Sequence, residues 1–246
     1  MPERLRCFDV IRGFSVASMI LFHFCYDLRF IYNLDLDWFR PPLQDVWRAS
    51  ISWTFLLVAG CMCSLSRNNL RRAGKYGLVA FAIFAVTLLA GVDDPISFGI
   101  IFCMSGSTFV AWLLDRAGLR PHGYVAAIVL FALFLLTLRL PVGIVGIEPF
   151  VLHVPKSCYQ LPWFAWLGFP SPGFVSSDYY PLLPFSLLFL SGSALGSVWH
   201  ESSYPAWLTA LRCKPLEWLG RHALPCYVLH QPILLILSSV LTARLP

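Results

Sequence analysis

The chain has 246 residues, 58% apolar and 13% charged, with a formal net charge of +5 and a mean hydropathy of +0.69. Soluble domains carry about 25% charged residues, so a water-soluble domain is excluded, and disorder, collagen and a disulfide-stapled scaffold go with it. The apolar stretches run continuously over roughly 16–20 residues instead of alternating, which excludes a transmembrane barrel. An all-α polytopic membrane helix bundle remains.

A helix needs about 20 mostly apolar residues to cross the hydrocarbon layer. Seven segments are predicted to do so: 10–31, 47–66, 76–92, 96–114, 122–140, 179–198 and 223–242, all within a single transmembrane domain of 1–246. Asp93-Asp94-Pro95 separates the third from the fourth, because a proline beside two acids does not continue a buried helix. The long connection 141–178 carries six prolines and cannot be one regular span. Its stretch Trp163-Phe164-Ala165-Trp166-Leu167 fits either an interfacial segment or a re-entrant turn.

Basic residues set the orientation. With the N-terminus cytoplasmic, twelve of the 18 Lys and Arg fall inside, including Arg4 and the run Arg67, Arg71, Arg72 and Lys75 in a short loop. Six, including Arg244, fall outside. The basic excess is thus a topology signal, and no nucleic-acid partner is required. The first span holds Asp9 and Arg12 inside its apolar run and no A-x-A site follows, so it is expected to stay as a signal anchor. The eight cysteines form no disulfide framework: most fall in spans, Cys7 and Cys213 face the cytoplasm, and Cys158 lies outside. Cys61-Met62-Cys63 reads as packing thiols, and no metal site is expected.

Charged groups in a span cost roughly 2.5–3.5 kcal/mol each on insertion scales, so each asks for a reason. Asp9, Arg12, His23 and Asp27 share the first span, and at 100° per residue they occupy an arc of roughly 60°. Arg12 and His23 lie ~16 Å apart along the axis, placing Arg12 near the cytoplasmic interface and His23 beyond mid-membrane. Asp9–Arg12 and His23–Asp27 fit helix-tying pairs at i,i+3 and i,i+4. The second fits better a relay or cavity site in which the carboxylate orients the imidazole.

The last span contributes Arg221-His222 at its cytoplasmic end and His230-Gln231-Pro232 further along. Pro232 is expected to disrupt the helix and leave the Val228 carbonyl without its usual partner, favouring a protein-lined or wet cavity. Arg221 and His222 fit either an anionic ligand or positive-inside anchoring. Asp178-Tyr179-Tyr180 at the outer end of the sixth span offers a carboxylate that is either a helix N-cap or a substrate contact. Gly192 and Gly196 form a GxxxG helix contact. P-loop, GxGxxG, HExxH and GxSxG patterns are missing from the sequence.

Taken together, Asp9-Val10-Ile11-Arg12-Gly13 with Met19 through Leu28, Asp178-Tyr179-Tyr180-Pro181-Leu182-Leu183-Pro184, and Leu219-Gly220-Arg221-His222 through Gln231-Pro232 resemble bacterial members of the heparan-α-glucosaminide N-acetyltransferase catalytic-domain family. The ten residues between Arg12 and His23 are also similar to the Arg/His motif of type 3 membrane acyltransferases. The resemblance implies a multi-pass enzyme of a bacterial cytoplasmic membrane, taking an acyl, chiefly acetyl, group from cytoplasmic acetyl-CoA to a sugar or glycan acceptor. A homo-oligomer is compatible with it.

On that reading Arg12, Arg221 and His222 meet the donor, while His23, oriented by Asp27, acts as general base or acyl carrier. His230 is a second base or a donor to the thioester carbonyl, and Asp178, Tyr180 and Gln231 contact the acceptor. The sequence departs from many bacterial relatives at Phe102, where they carry histidine. A proton-coupled transporter or flippase using His23, Asp27 and His230 as a relay is the competing class, although no internal repeat supports it. A degenerate structural member is a third.

Overall fold

The computed structural model describes residues 5–242; Arg4 and Arg244, placed above on opposite sides of the membrane, lie outside them. The described residues form α1 (Arg6–Tyr26), α2 (Leu43–Cys61), α3 (Asn69–Leu89), α4 (Ile100–Arg116), α5 (Tyr124–Thr137), α6 (Leu182–Ser202), α7 (Ala206–Thr209), α8 (Lys214–Arg221) and α9 (Ala223–Thr242), with one hairpin of β1 (Ile144–Ile147) and β2 (Phe150–His153). Each of the seven expected segments is a helix. Among the described residues, five stretches are long and apolar enough to cross a membrane: Arg6–Ile31, Asn69–Leu89, Tyr124–Val142, Leu182–Ser202 and Ala223–Leu241. The expected seven therefore reduce to five on length and composition. α4 has 17 residues, and α2 opens with Gln44, Asp45 and Arg48. Two compact units divide the chain, one running up to Val58 and resuming at Tyr204, the other spanning Ala59–Ser203.

In the first unit α1 lies directly against α8. A Cβ on Gly13 would meet the Leu216 carbonyl oxygen at 1.9 Å, and one on Gly220 would meet that of Asp9 at 1.9 Å. Each helix thus offers a glycine, four residues from the contacted carbonyl, to the backbone of the other. The sequence reading missed α8 as a separate helix because its eight residues are too short and polar to register as a span. Cys7, expected to face the cytoplasm, is buried in α1. Beyond Tyr26 the helix continues as a π turn over Asp27–Ile31, closed by the Tyr32 N–H on the Asp27 carbonyl at 3.0 Å. Phe22, Cys25 and Phe39 pack with Leu36, Trp47 and Ile51, and Trp47 donates to Ser18 Oγ at 2.8 Å. Contrary to expectation, α9 runs unbroken through Pro232. Proline's fixed φ is compatible with a helix, so the cost is one backbone bond and local crowding.

In the second unit α3 packs on α4, and α6 on both α4 and α5. α3 starts seven residues earlier than predicted because the Asn68 side chain caps it by accepting from the Arg71 N–H at 2.8 Å. Arg71, Arg72 and Lys75 therefore sit in its first turns instead of a loop. Buried Arg72 donates to the Ala59 carbonyl at 3.0 Å. The GxxxG expectation holds at Gly196, whose Cβ would meet the Cys61 carbonyl oxygen at 2.3 Å, and one on Gly60 would meet the Phe189 carbonyl oxygen closer still, at 1.9 Å.

The 141–178 connection is more ordered than a proline-rich loop suggests. β1 and β2 pair antiparallel from Ile144–His153 to Ile147–Phe150 around Glu148-Pro149, and short 3-10 turns follow at Lys156–Tyr159 and Pro162–Leu167. Trp163 is exposed while Ala165 is buried. Burial also holds the Tyr159 phenol above its ordinary pKa, consistent with its donating to the Leu140 carbonyl.

Candidate functional site

α1 and α9 together set the central cluster, all of it in the first unit. The His23 and His230 rings meet at a centroid distance of 4.9 Å, edge to face. One helical step along, Gln231 Nε2 donates to both oxygens of Asp27, at 2.9 and 3.1 Å. The expected His23–Asp27 pairing is therefore corrected: Asp27, fully buried, is engaged by α9 and not by its neighbour on α1. The backbone between the two residues keeps its α spacing, with the Asp27 N–H on the His23 carbonyl, so it is the Gln231 amide that takes the carboxylate and not a change of helix geometry.

Hydrogen bonding fixes the tautomer of His230. Its Nδ1 lies 2.5 Å from the Tyr227 carbonyl, which accepts only, so Nδ1 carries the proton. Neutral His230 then presents an Nε2 lone pair. That Nε2 is buried without a hydrogen-bond partner, as is Gln231 Oε1. The cluster thus holds two unmatched acceptor atoms, and a buried acceptor left unmatched is costly. An amine N–H or a hydroxyl O–H is the kind of donor that would satisfy either.

Eleven residues before His23, a second cluster gathers charge. Arg12 forms an ion pair with Asp9. Arg221 reaches the same carboxylate through Nε at 3.7 Å and Glu217 through Nη2 at 3.5 Å. Asp9 and Glu217 are buried, whereas the Arg221 side chain is 43% exposed. His222 donates from Nδ1 to the Trp218 carbonyl at 2.8 Å and rests on the Trp218 ring, exposed beside Arg221. The structure brings together the first and last sequence motifs, and the close glycine contacts of α1 and α8 are what allow it. Sequence reasoning missed Glu217. Its signal was an acid four residues before Arg221, the spacing of a helical ion pair.

Asp178 and Tyr180 belong to the second unit. Asp178 Oδ2 accepts from the Ile100 N–H at 3.0 Å, so it caps a helix as one alternative held, but that helix is α4 and not α6. Gly99 makes room for it, because a Cβ there would lie 2.5 Å from the same oxygen. The Tyr180 N–H donates to the Phe98 carbonyl at 2.8 Å, and its ring packs edge-on against Phe185. Phe102 packs on Phe98. No group of three or more His, Cys, Asp or Glu suited to a metal ion occurs among the described residues.

A family model described as heparan-alpha-glucosaminide N-acetyltransferase, catalytic, matches residues 4–232. The match runs through both units and through every residue of the two clusters. No curated protein and no solved structure matches the chain.

Proposed function

Since the chain belongs to the heparan-alpha-glucosaminide N-acetyltransferase catalytic family, we propose that it transfers an acetyl group from acetyl-CoA, entering on the cytoplasmic side, to a sugar or glycan acceptor at or across the membrane. Membership makes it an acetyltransferase, and its long apolar helices make it a multi-pass membrane protein. The observation that carries the finer reading is the His23–His230 pair, with an unprotonated His230 Nε2 buried beside the Asp27–Gln231 clamp.

Arg12 and Arg221, with His222 beside them, would hold the phosphates of the donor. The acetyl thioester would extend along α1 toward the imidazoles, ~16 Å away by helix rise. His230 Nε2 takes the proton as the acceptor's amine or hydroxyl attacks the thioester carbonyl. The C–S bond then breaks, and the thiolate leaves as CoA. His23, whose ring abuts His230, stabilises the protonated imidazole's surroundings or carries the acetyl group in a two-step route. Gln231 and Asp27 position α9 against α1.

The test is purified protein with radiolabelled acetyl-CoA and sugar acceptors. CoA release and labelled acceptor, both lost in His230→Ala, support the reading. Label retained on the protein without acceptor, and lost in His23→Ala, selects the two-step route. An absence of CoA release with every acceptor, together with proton-coupled flux in liposomes, would replace the reading with the transporter.

A further inference from the structure

We infer that Glu217 is a positioning residue for the donor: it holds the Arg221 guanidinium in the orientation that meets the donor's phosphates. The inference rests on the preceding reading of Arg12 and Arg221 as the donor-binding arginines. Nothing in the motifs required an acid at this position.

The geometry is specific. Glu217 is one turn before Arg221 on α8, and its side chain is only 8% exposed. Arg221 is bound on two edges, Nε by Asp9 and Nη2 by Glu217, leaving Nη1 outside these contacts. Asp9 is itself shared with Arg12. Two buried carboxylates therefore hold two guanidiniums, and the four formal charges cancel. A loose arginine would lose side-chain freedom on meeting a phosphate, and prior fixation removes that loss.

An opposite role for Glu217 makes an opposite prediction. If it were only a counter-charge, it would repel the phosphates, and neutralising it would tighten donor binding. Glu217 lies behind the guanidinium while Arg221 is partly solvated, so the repulsion is screened and fixation is expected to dominate. Glu217→Gln should raise KM for acetyl-CoA by about tenfold and leave kcat within about twofold.

The experiment measures KM and kcat for acetyl-CoA in Glu217→Gln, Glu217→Asp, Arg221→Ala and Arg12→Ala, with a thermal melt of each purified protein. Glu217→Asp keeps the charge but draws it back by a methylene, and a KM between wild type and Glu217→Gln is expected. If Arg221→Ala raises KM while Glu217→Gln leaves it unchanged or lowers it, the positioning role is overturned and the donor site stands. If neither arginine variant moves KM, the donor reading fails and this inference with it. Should Glu217→Gln not fold, Glu217→Asp decides alone, and an unchanged KM there overturns the proposal.

Discussion

His23 and His230 are neighbours with unequal support. His230 is anchored by its own helix through Nδ1, so its basic nitrogen has a fixed direction. His23 contacts the rings of Phe22 and His230 and makes no ring-nitrogen hydrogen bond among the described residues. His230→Ala is therefore expected to lower kcat by about 10²-fold or more, with KM for acetyl-CoA little changed, in a steady-state assay with the sugar acceptor. The Asp27–Gln231 contact is a different matter. Gln231→Leu would leave a fully buried carboxylate without the amide that meets both its oxygens, costing roughly 1–3 kcal/mol. A lowered melting temperature should result, and Asp27→Asn in the same background should recover part of it. Arg12, His23, Asp27 and His230 were legible because ionisable residues stand out in an apolar span. The Asp27–Gln231 pairing was not, since it joins residues 204 positions apart.

Among the elements, the α1–α8 contact bears most directly on the site. Gly13 and Gly220 allow two backbones to approach where any side chain would collide. Gly13→Ala and Gly220→Ala should each destabilise by about 1–3 kcal/mol or more and separate Arg12 from Arg221, raising KM for the donor. Gly74, on α3 with nothing near its would-be Cβ, provides the control: Gly74→Ala should leave the melt unchanged or slightly raised. Long apolar helices were readable from composition, but α8 was not, because an eight-residue amphipathic helix has no span signature. The hairpin escaped for a similar reason. Ile144-Val145-Gly146-Ile147 and Phe150-Val151-Leu152-His153 around Glu148-Pro149 carry a strand–turn–strand pattern, overshadowed by six prolines in the same connection.

For the whole molecule, the expectation open to direct measurement is orientation. Cys158 is exposed on the 141–178 connection, while Cys7, Cys25, Cys61, Cys63 and Cys103 are buried. A membrane-impermeant maleimide added to intact cells should label Cys158, and Cys158→Ser should abolish most of that labelling. Labelling only after the cells are opened would invert the assigned topology. The charge bias that motivates this assignment survives the structure in altered form: Arg71, Arg72 and Lys75 are helical, yet they still crowd one end of α3.

The π turn at Asp27–Ile31 has one last implication, for phase. It accommodates one residue more per turn than the α helix before it, so positions beyond Asp27 fall one residue out of α numbering while the chain keeps its direction. A further residue inserted between Leu28 and Ile31 would exceed the one that the wide turn absorbs and swing the following chain by about 100°. Tyr32, which now donates to the Leu235 carbonyl of α9 at 3.1 Å, would lose that register. A single-residue insertion here should therefore act on the histidine pair from outside it, abolishing transfer while His23 and His230 remain in the chain.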